Sequence, residues 1–324
     1  MIILNIEPSD YSEQARETLQ TLGEVREVEC QDRDQLKTII TDADVLIVRL
    51  ANLIDDDILQ VAHALKVIVS ATTGLNHIDL QAAARRGVTV LSLKGEVDFL
   101  SSITATAEHC WGLLLTLTRK LHSAAAHVEK SGWDRDQFQG RQLSGLTLGI
   151  VGYGRLGAIV AEYGNAFRMR ILANDIRDLP HPAFVNMVPL SQLLTEADAV
   201  CLLPSLQPTS QKLIGKWELE QMKPSAILIN VSRGEVIDEC ALMKALKSGT
   251  ISAAALDVLD SEAEKKDGWL RDHQLVELAR NSDKLLITPH IGGATTDSMR
   301  KTEVFMAEKL AAFLTKRQQQ HARV

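Results

Sequence analysis

A glycine-rich loop lies near the middle of the chain, within the run LGIVGYGRLGAIV. Its three glycines, Gly152, Gly154 and Gly157, follow an apolar segment typical of a strand and open a segment typical of a helix. The first glycine allows a tight turn, the second lets the backbone approach a pyrophosphate, and the third lets the helix pack closely on the strand. Free N–H groups at the start of that helix favour phosphate. The loop therefore predicts a parallel α/β domain that binds a dinucleotide; the alternative is three turn glycines without a ligand.

An acidic residue follows this loop at a distance that fits dinucleotide binding. The next strand segment, RILAND, ends at Asp175, which is 18 residues after Gly157. An acid near this spacing accepts hydrogen bonds from the adenosine ribose, and its charge repels a 2′-phosphate. We therefore expect NAD rather than NADP as the cofactor. Arg177, two residues later, leaves NADP as a minor alternative, and a surface aspartate without a ligand is another.

Short β-branched segments alternate with segments of helical period along most of the chain. The candidate strands are IILNI, VREVEC, DVLIVR, KVIVS and VTVLS up to residue 92, then LTLGIV, MRILAND, AVCLLP, AILIN, ISAAALDV and LLITP. This alternation is typical of βαβ units with parallel sheets, and 324 residues exceed what one core usually serves. We predict an α/β protein with two Rossmann-like or flavodoxin-like lobes and a ligand cleft between them.

The position of the glycine loop places the cofactor domain second. We predict a Rossmann domain over 99–291 and a second domain formed by 1–98 and 292–324. Residues 99–130 are rich in Ala and Leu and contain no proline, so they predict one long helix, capped near Ser101 or Ser102, that joins the lobes. A last amphipathic helix is predicted over 296–316.

Charge and cysteine usage exclude several classes of partner. The formal net charge is −7 and the isoelectric point is near 5.7, without a dense run of lysine or arginine, so we expect neither nucleic acid nor an anionic membrane as partner. The four cysteines are scattered without zinc-ligand spacing, so no metal is expected. The first residues lack a basic signal-peptide region, and no apolar run reaches the roughly 18 residues of a membrane span. A cytoplasmic protein is expected.

Polar residues follow three predicted strands of the second domain. Arg233 comes just after AILIN, Asp257 ends the strand in ISAAALDV with Glu262 five residues later, and His290 follows LLITP. Ligands of open parallel sheets bind beyond the carboxyl ends of the strands, so these side chains can converge on one crevice. Taken singly, each has another explanation: a turn histidine, a solvated loop acid, or an arginine in a structural ion pair.

Four ordered runs carry a resemblance to a known family. They are GRQLSGLTLGIVGYGRLG, INVSRGEVID, ALDVLDSE and TPHIGG, and together they resemble the D-isomer-specific 2-hydroxyacid dehydrogenases, close to the phosphoglycerate dehydrogenases and the glyoxylate or hydroxypyruvate reductases. The run ATTGLNHIDLQAAARRGV resembles that family's substrate loop, so the likeness covers nearly the whole chain. It implies an NAD-dependent enzyme that transfers hydride between the nicotinamide and a small D-2-hydroxy or 2-keto acid. It also makes the domain of 1–98 and 292–324 the substrate domain.

The resemblance assigns roles to the three strand-end residues. Arg233 is implied to bind the substrate carboxylate and polarise the C2 carbonyl, His290 to be the general acid and base, and Glu262 to be its partner. Hydride arriving at C2 leaves negative charge on oxygen, so a proton donor must stand within about 3 Å of it. Histidine titrates near neutral pH, and a neighbouring carboxylate favours its charged form. A guanidinium suits a carboxylate because it can bond bidentately.

The same resemblance implies the rest of the site. Backbone amides around Thr73, Gly74 and Leu75 are implied to grip the carboxylate, and Arg49 matches an arginine that contacts anionic substrates, although a solvated strand-end arginine is equally compatible with its position. Asp257 is implied to hold the nicotinamide carboxamide. The cofactor site that we expect comprises Gly152, Tyr153, Gly154, Arg155, Leu156, Gly157, Asp175, Pro204, Val231, Ser232, Asp257, Gly292 and Gly293.

The sequence also departs from the family pattern, and two other functions stay open. Ala263 stands where proline is usual, and Ser102 stands where an asparagine is common, so the residues do not select one acid as substrate. Formate dehydrogenases share the plan but ordinarily have glutamine at the position of Glu262. An NAD(H)-sensing, corepressor-like binding protein on the same fold would retain the same three residues. Trp133 and the helix before it resemble the family's dimerising part, so we expect a homodimer.

Overall fold

The computed structural model describes residues 1–30, 32–260, 262 and 268–321, and it divides the chain into two compact units. The first unit is Met1–Ser102 together with Thr295–Val324, and the second is Ile103–Ala294. Each unit is built on its own sheet, and all strand pairings among the described residues are parallel. The prediction of an α/β protein with parallel sheets is therefore confirmed. Within the described ranges, no helix combines the length and the apolar character needed to cross a membrane.

The first unit contains a five-stranded sheet in the order β2-β1-β3-β4-β5. Its strands and the helices between them are β1 Ile2–Asn5, α1 Glu13–Gln20, β2 Glu24–Glu27, α2 Arg33–Ile39, β3 Val45–Val48, α3 Asp56–Val61, β4 Val67–Ser70, α4 Leu80–Arg85, β5 Thr89–Ser92 and α5 Val97–Ser101. Every residue of β3 and β4 is buried, as expected of central parallel strands covered on both faces. Helix α3 was not among the predicted elements.

Short polar side chains begin four of these helices. The side-chain oxygens of Ser12, Asp32, Asp55 and Asp79 each accept a hydrogen bond from the backbone N–H three residues later. Such caps satisfy one of the N–H groups that the first turn of a helix leaves without a partner. The caps fix where each connecting helix begins, and so they fix the lengths of the loops at the sheet edge.

The second unit contains a seven-stranded sheet in the order β12-β11-β10-β9-β6-β7-β8. The order reverses between β6 and β9, and such a reversal opens a crevice at the carboxyl ends of the two strands. Its elements are α6 Ala105–Thr118, α7 Leu121–Glu129, β6 Thr147–Val151, α8 Arg155–Ala166, β7 Arg170–Asn174, β8 Val185–Met187, α9 Leu190–Glu196, β9 Ala199–Leu202, α10 Lys216–Gln221, β10 Ile227–Asn230, α11 Glu239–Ser248, β11 Ala253–Leu256, α12 Gln274–Asn281 and β12 Leu285–Ile287. Edge strand β8 was not predicted.

The prediction of one long helix over 99–130 was wrong, because three separate helices, α5 to α7, occupy this segment. The hydroxyl groups of Ser101 and Ser102 do not cap a following helix but donate to carbonyl oxygens of the preceding turn. Helix α6 begins after Thr104 instead. At its other end, Lys120 adopts a left-handed conformation with φ of 52°, which interrupts the helical path.

Helix α13, Thr296–His321, returns the chain to the first unit, where it packs against α1. It begins where the amphipathic pattern predicted and continues beyond the predicted end at residue 316. Met306, Ala307 and Leu310 are buried along one side of it. The first unit is therefore completed by residues that lie far from the rest of it in sequence.

Candidate active site

The glycine loop adopts the geometry that its sequence predicts. Gly152 follows β6 with φ of 92°, and a Cβ there would lie 2.5 Å from the backbone N of Pro204, which follows β9. A Cβ on Gly157 would lie 2.5 Å from the carbonyl oxygen of Gly152. Side chains at either position would fill the space at the reversal of the sheet. The absence of Cβ atoms, together with the start of α8 at this point, leaves a cradle that fits the phosphates of a dinucleotide.

The residues between these glycines point mostly into the protein. Tyr153 is 4% exposed and packs in the core of the second unit, so the backbone is the part of this residue that a ligand in the cradle can reach. Arg155 Nη1 donates to the carbonyl oxygen of Ile103 at 2.6 Å, and burial lowers the pKa of its guanidinium. Leu156 is half-buried against the same core. Their expected contacts with a cofactor stay predictions.

Asp175 lies directly after β7, where the ribose acid was predicted, but it has a partner. Arg177 Nε donates to its Oδ1 at 2.9 Å and Arg177 Nη2 donates to its Oδ2 at 3.1 Å. Burial on its own would raise the pKa of the Asp175 carboxyl, but the hydrogen bonds and charge of Arg177 outweigh burial and lower it. Asp175 is therefore an ionised acid in a bidentate ion pair.

His290 and Glu262 form the pair that the sequence predicted. His290 Nδ1 bonds to Glu262 Oε1, and the second oxygen, Oε2, accepts the backbone N–H of Leu259 at 3.1 Å. Since an ionised carboxylate can only accept, Nδ1 is the donor in this bond, and Nε2 is the ring nitrogen that Glu262 does not engage. The two side chains are 27% and 26% exposed. His290 has a φ of 53°, and such left-handed conformations in non-glycine residues concentrate at functional sites.

Arg233 lies just past β10 and close to the same pair. Its Nη1 donates to the carbonyl oxygen of Ser232 at 2.6 Å. Burial lowers the pKa of its guanidinium, while the nearby charge of Glu262 acts in the opposite direction. A Cβ on the next residue, Gly234, would lie 2.0 Å from the carbonyl carbon of Leu259. The loop that carries Arg233 and the loop that carries Glu262 are thus in direct backbone contact.

Asp257 lies at the end of β11, and its carboxylate is engaged within the chain. It is 1% exposed and accepts hydrogen bonds from Thr288 Oγ1 at 2.6 Å, Ile291 N at 2.9 Å and Gly292 N at 2.7 Å. His109 Nε2 lies 3.2 Å from its Oδ1. Burial would raise the pKa of this carboxyl, but these donors outweigh burial and lower it. The expected contact of Asp257 with a nicotinamide stays a prediction.

The remaining predicted cofactor residues surround these groups. Val231 and Ser232 follow β10, where Ser232 N and Oγ both donate to Asn230 Oδ1 at 3.0 and 2.9 Å. A Cβ on Gly292 would lie 2.9 Å from Asp257 Oδ2, whereas one on Gly293 would meet its first neighbour at 4.0 Å. The contacts of His109 and Thr288 with Asp257 were not predicted, because a histidine within an apolar helix and a threonine after a strand carry no sequence signal of such a pairing.

The other predicted substrate residues lie in the first unit. Arg49 is 19% exposed, donates through Nη2 to the carbonyl oxygens of Glu7 and Ser9 at 2.9 and 2.8 Å, and lies 3.4 Å from Glu303 Oε1. It is therefore held within the chain rather than solvated.

The loop after β4 is ordered by Thr72, whose Oγ1 donates to the carbonyl oxygen of Gly74 at 2.8 Å. Thr73 is exposed, and Leu75 is half-buried. The departure at Ala263 lies outside the described residues.

Comparison with known proteins places these features in a family context. Residues 111–292 match the family model described as "D-isomer specific 2-hydroxyacid dehydrogenase, NAD binding domain". The D-3-phosphoglycerate dehydrogenase of Methanocaldococcus jannaschii is 34% identical over 306 residues, which are 93% of this chain and 56% of the relative. The chain thus spans about half the length of the phosphoglycerate dehydrogenases that it matches.

Two further similar proteins match along most of their own length. The hydroxypyruvate reductase of Thermotoga maritima is 34% identical over 283 residues, which cover 86% of this chain and 87% of the relative. The crystal structure of D-lactate dehydrogenase from Aquifex aeolicus, complexed with NAD and lactic acid, superposes with a TM-score of 0.82 at 26% identity, and the match covers 99% of this chain and 97% of that one.

Proposed function

Because the chain belongs to the D-isomer-specific 2-hydroxyacid dehydrogenase family, we propose that it is an NAD-dependent oxidoreductase that interconverts a small D-2-hydroxy acid and the corresponding 2-keto acid. The observation that carries the proposal is the hydrogen bond between His290 and Glu262, in the unit that also contains the glycine cradle. An imidazole held by a carboxylate is a general acid and base that works in both directions of such a reaction.

The residues of the second unit divide the chemistry between them. The nicotinamide, when bound, supplies hydride to the keto carbon or accepts it from the hydroxy carbon. His290 Nε2 gives a proton to the carbonyl oxygen during reduction and takes it back during oxidation. Glu262 bonds to Nδ1 and so fixes the orientation of the ring. Arg233 binds the carboxylate of the acid, and its partial burial strengthens that ion pair.

We assign the two units to the two ligands. The second unit, for which the sequence predicted the bounds 99–291, binds the dinucleotide. The first unit, for which it predicted 1–98 and 292–324, contributes to binding of the acid. In the first unit, the backbone N–H groups of Thr73, Gly74 and Leu75 are the donors that we assign to the substrate carboxylate. We assign Arg49 to support of this binding region, because its guanidinium is already bonded to two carbonyl oxygens.

The test is oxidation of NADH in the presence of a panel of 2-keto acids. Hydroxypyruvate and glyoxylate come first, since a hydroxypyruvate reductase is a relative that the chain matches along most of its length; pyruvate, 2-ketoglutarate and phosphohydroxypyruvate follow. We expect kcat to fall by about 10²- to 10⁴-fold in His290→Ala and by a comparable factor in Arg233→Ala. His181→Ala is the matched control, because this histidine is exposed and is not among the residues assigned to the site.

Two results contradict the proposal. Full turnover in both His290→Ala and Arg233→Ala removes the catalytic assignment. Tight NADH binding without turnover of any acid in the panel favours the NAD(H)-sensing protein instead.

We further propose a homodimer that forms through the segment around α7. Leu121 and Val128 are each 51% exposed and Trp133 is 90% exposed, so a concentration of large apolar side chains faces solvent on this segment. Light scattering at micromolar concentration should give the mass of two chains, and Trp133→Asp should reduce it to one. Trp217→Asp, at a tryptophan 70% exposed on α10, should leave the dimer intact. A single-chain mass for the unsubstituted protein contradicts the proposal.

The four free cysteines support a reducing, cytoplasmic location.

A further inference from the structure

The ion pair of Asp175 and Arg177 lies at the adenosine end of the proposed dinucleotide site and exposes its two partners unequally. The Asp175 side chain is 6% exposed, whereas that of Arg177 is 59% exposed. Besides the two guanidinium bonds, the backbone N–H of Arg177 donates to Asp175 Oδ1 at 2.9 Å. A ligand that approaches from solvent therefore meets the cation first.

The guanidinium also lies against the glycine loop. A Cβ on Gly154 would lie 3.5 Å from Arg177 Nη2, and Gly154 is the residue from which α8 begins. The free N–H groups of the first turn of α8 add partial positive charge at the same place. The net formal charge of the pair is zero, so a phosphate here meets no uncompensated negative charge, in contrast to a site with an aspartate alone.

We propose that Arg177 is a receptor for a 2′-phosphate and that this chain accepts NADPH with an affinity close to that for NADH. Dinucleotide sites use an acid to bind the free ribose hydroxyls and an arginine to accommodate the 2′-phosphate, and here one loop holds both. With NADH, Asp175 accepts the ribose hydroxyls. With NADPH, the guanidinium keeps its Nε and Nη2 bonds to Asp175 and offers Nη1 and the second hydrogen of Nη2 to the phosphate, which this edge matches bidentately.

This inference rests on the proposed dinucleotide site but not on the proposed acid substrate, so it is tested by binding. The Kd values of NADH and NADPH are measured on the full chain by calorimetry, without a keto acid. The unsubstituted chain should bind the two dinucleotides within about tenfold of each other. Arg177→Ala should weaken NADPH at least about threefold more than NADH, and Asp175→Asn should shift the preference towards NADPH.

Arg170→Ala is the matched control. Arg170 is also a half-exposed arginine in an ion pair, with Glu196 at 2.6 Å, but it begins β7 whereas Asp175 follows the end of that strand. Its removal should leave the ratio of the two Kd values unchanged. Raising the salt concentration should weaken NADPH more than NADH in the unsubstituted chain and remove that difference in Arg177→Ala, because screening acts on the additional phosphate contact.

Two binding results overturn the inference but not the cofactor site: a preference for NADH greater than tenfold in the unsubstituted chain, or a loss in Arg177→Ala that is equal for both dinucleotides within threefold. The second result would place Arg177 on the pyrophosphate, which the two ligands share. Failure of both dinucleotides to bind overturns the cofactor site and this inference together. Binding without turnover of any acid overturns only the proposed reaction.

Discussion

Replacement of Gly234 by alanine tests whether the contact between the Arg233 loop and the Glu262 loop sets the catalytic geometry. The added Cβ would lie 2.0 Å from the carbonyl carbon of Leu259 and 2.2 Å from Asp260 N. Both atoms belong to the backbone, so no rotamer change relieves the overlap. To reach an ordinary contact near 3.4 Å, the two loops must separate by more than about 1 Å.

That separation acts directly on the catalytic groups. Leu259 N donates to Glu262 Oε2 at 3.1 Å, and Glu262 holds the ring of His290, so moving the 259–260 backbone moves the acid and base away from Arg233. A misplacement of about 1 Å can lower the rate about 100-fold. Overpacking of this kind also costs about 1–3 kcal/mol of stability.

The assay is kcat/KM with the best 2-keto acid, together with the Kd for NADH and urea unfolding. We expect kcat/KM to fall about 100-fold, with NADH affinity changed less than threefold, because the cradle at Gly152 is built by other loops. Gly112→Ala is the control, since a Cβ there meets no atom within 4 Å and alanine favours the helix. A variant of Gly234 with unchanged kcat/KM and unchanged stability would refute the reasoning.

Two further predictions concern buried carboxylates. Asp257→Ala should lower the free energy of unfolding by about 3 kcal/mol at pH 7, since it leaves three buried donors without an acceptor. Because the pKa of Asp257 is lowered in the folded protein, the contribution of its ionised carboxylate to stability is complete above the ordinary pKa of 3.8 and is lost as the pH falls through the pKa of the folded state. Urea unfolding from pH 7 down to pH 2.5 should therefore show a shrinking difference in unfolding free energy between Asp257→Ala and the unsubstituted protein. A constant difference would contradict this prediction. Arg49→Met should cost about 3 kcal/mol at pH 8, because Glu303 stays buried without its cation. Burial already raises the pKa of Glu303, so the carboxyl takes up a proton more readily than an ordinary glutamate, and the loss should shrink as the pH falls. Thermal unfolding at pH 8 and pH 5 measures the loss, and an equal or larger loss at pH 5 would contradict the prediction.

The parts of the fold that were predicted from sequence are those fixed by local patterns. The run ending at Val151 is apolar, β-branched at its end and followed by glycine, so its strand, turn and helix follow from a few neighbouring residues. The convergence of Glu262 and His290 was predicted because parallel strands bring their carboxyl ends to one edge. Neither prediction needed information about distant contacts.

The features that the sequence analysis missed depend on contacts between distant residues or on a single backbone angle. The segment over 99–130 has the composition of one helix, but Lys120 in a left-handed conformation and the hydroxyl bonds of Ser101 and Ser102 divide it. Arg49 is bound by Glu303, which lies on the last helix, so its burial was invisible at the sequence level. Strand β8 has only three residues, too few for a recognisable alternation.

The membership of α13 in the first unit has a consequence for biosynthesis. The second unit is one uninterrupted stretch, whereas the first joins Met1–Ser102 to residues from Thr295 onward. Glu303 accepts the N–H of Ser12 at 2.7 Å, so the start of α1 acquires this partner only after the whole second unit has been translated. Because residues leave the ribosome in order, the second unit can fold while the apolar side of α1 is still without α13.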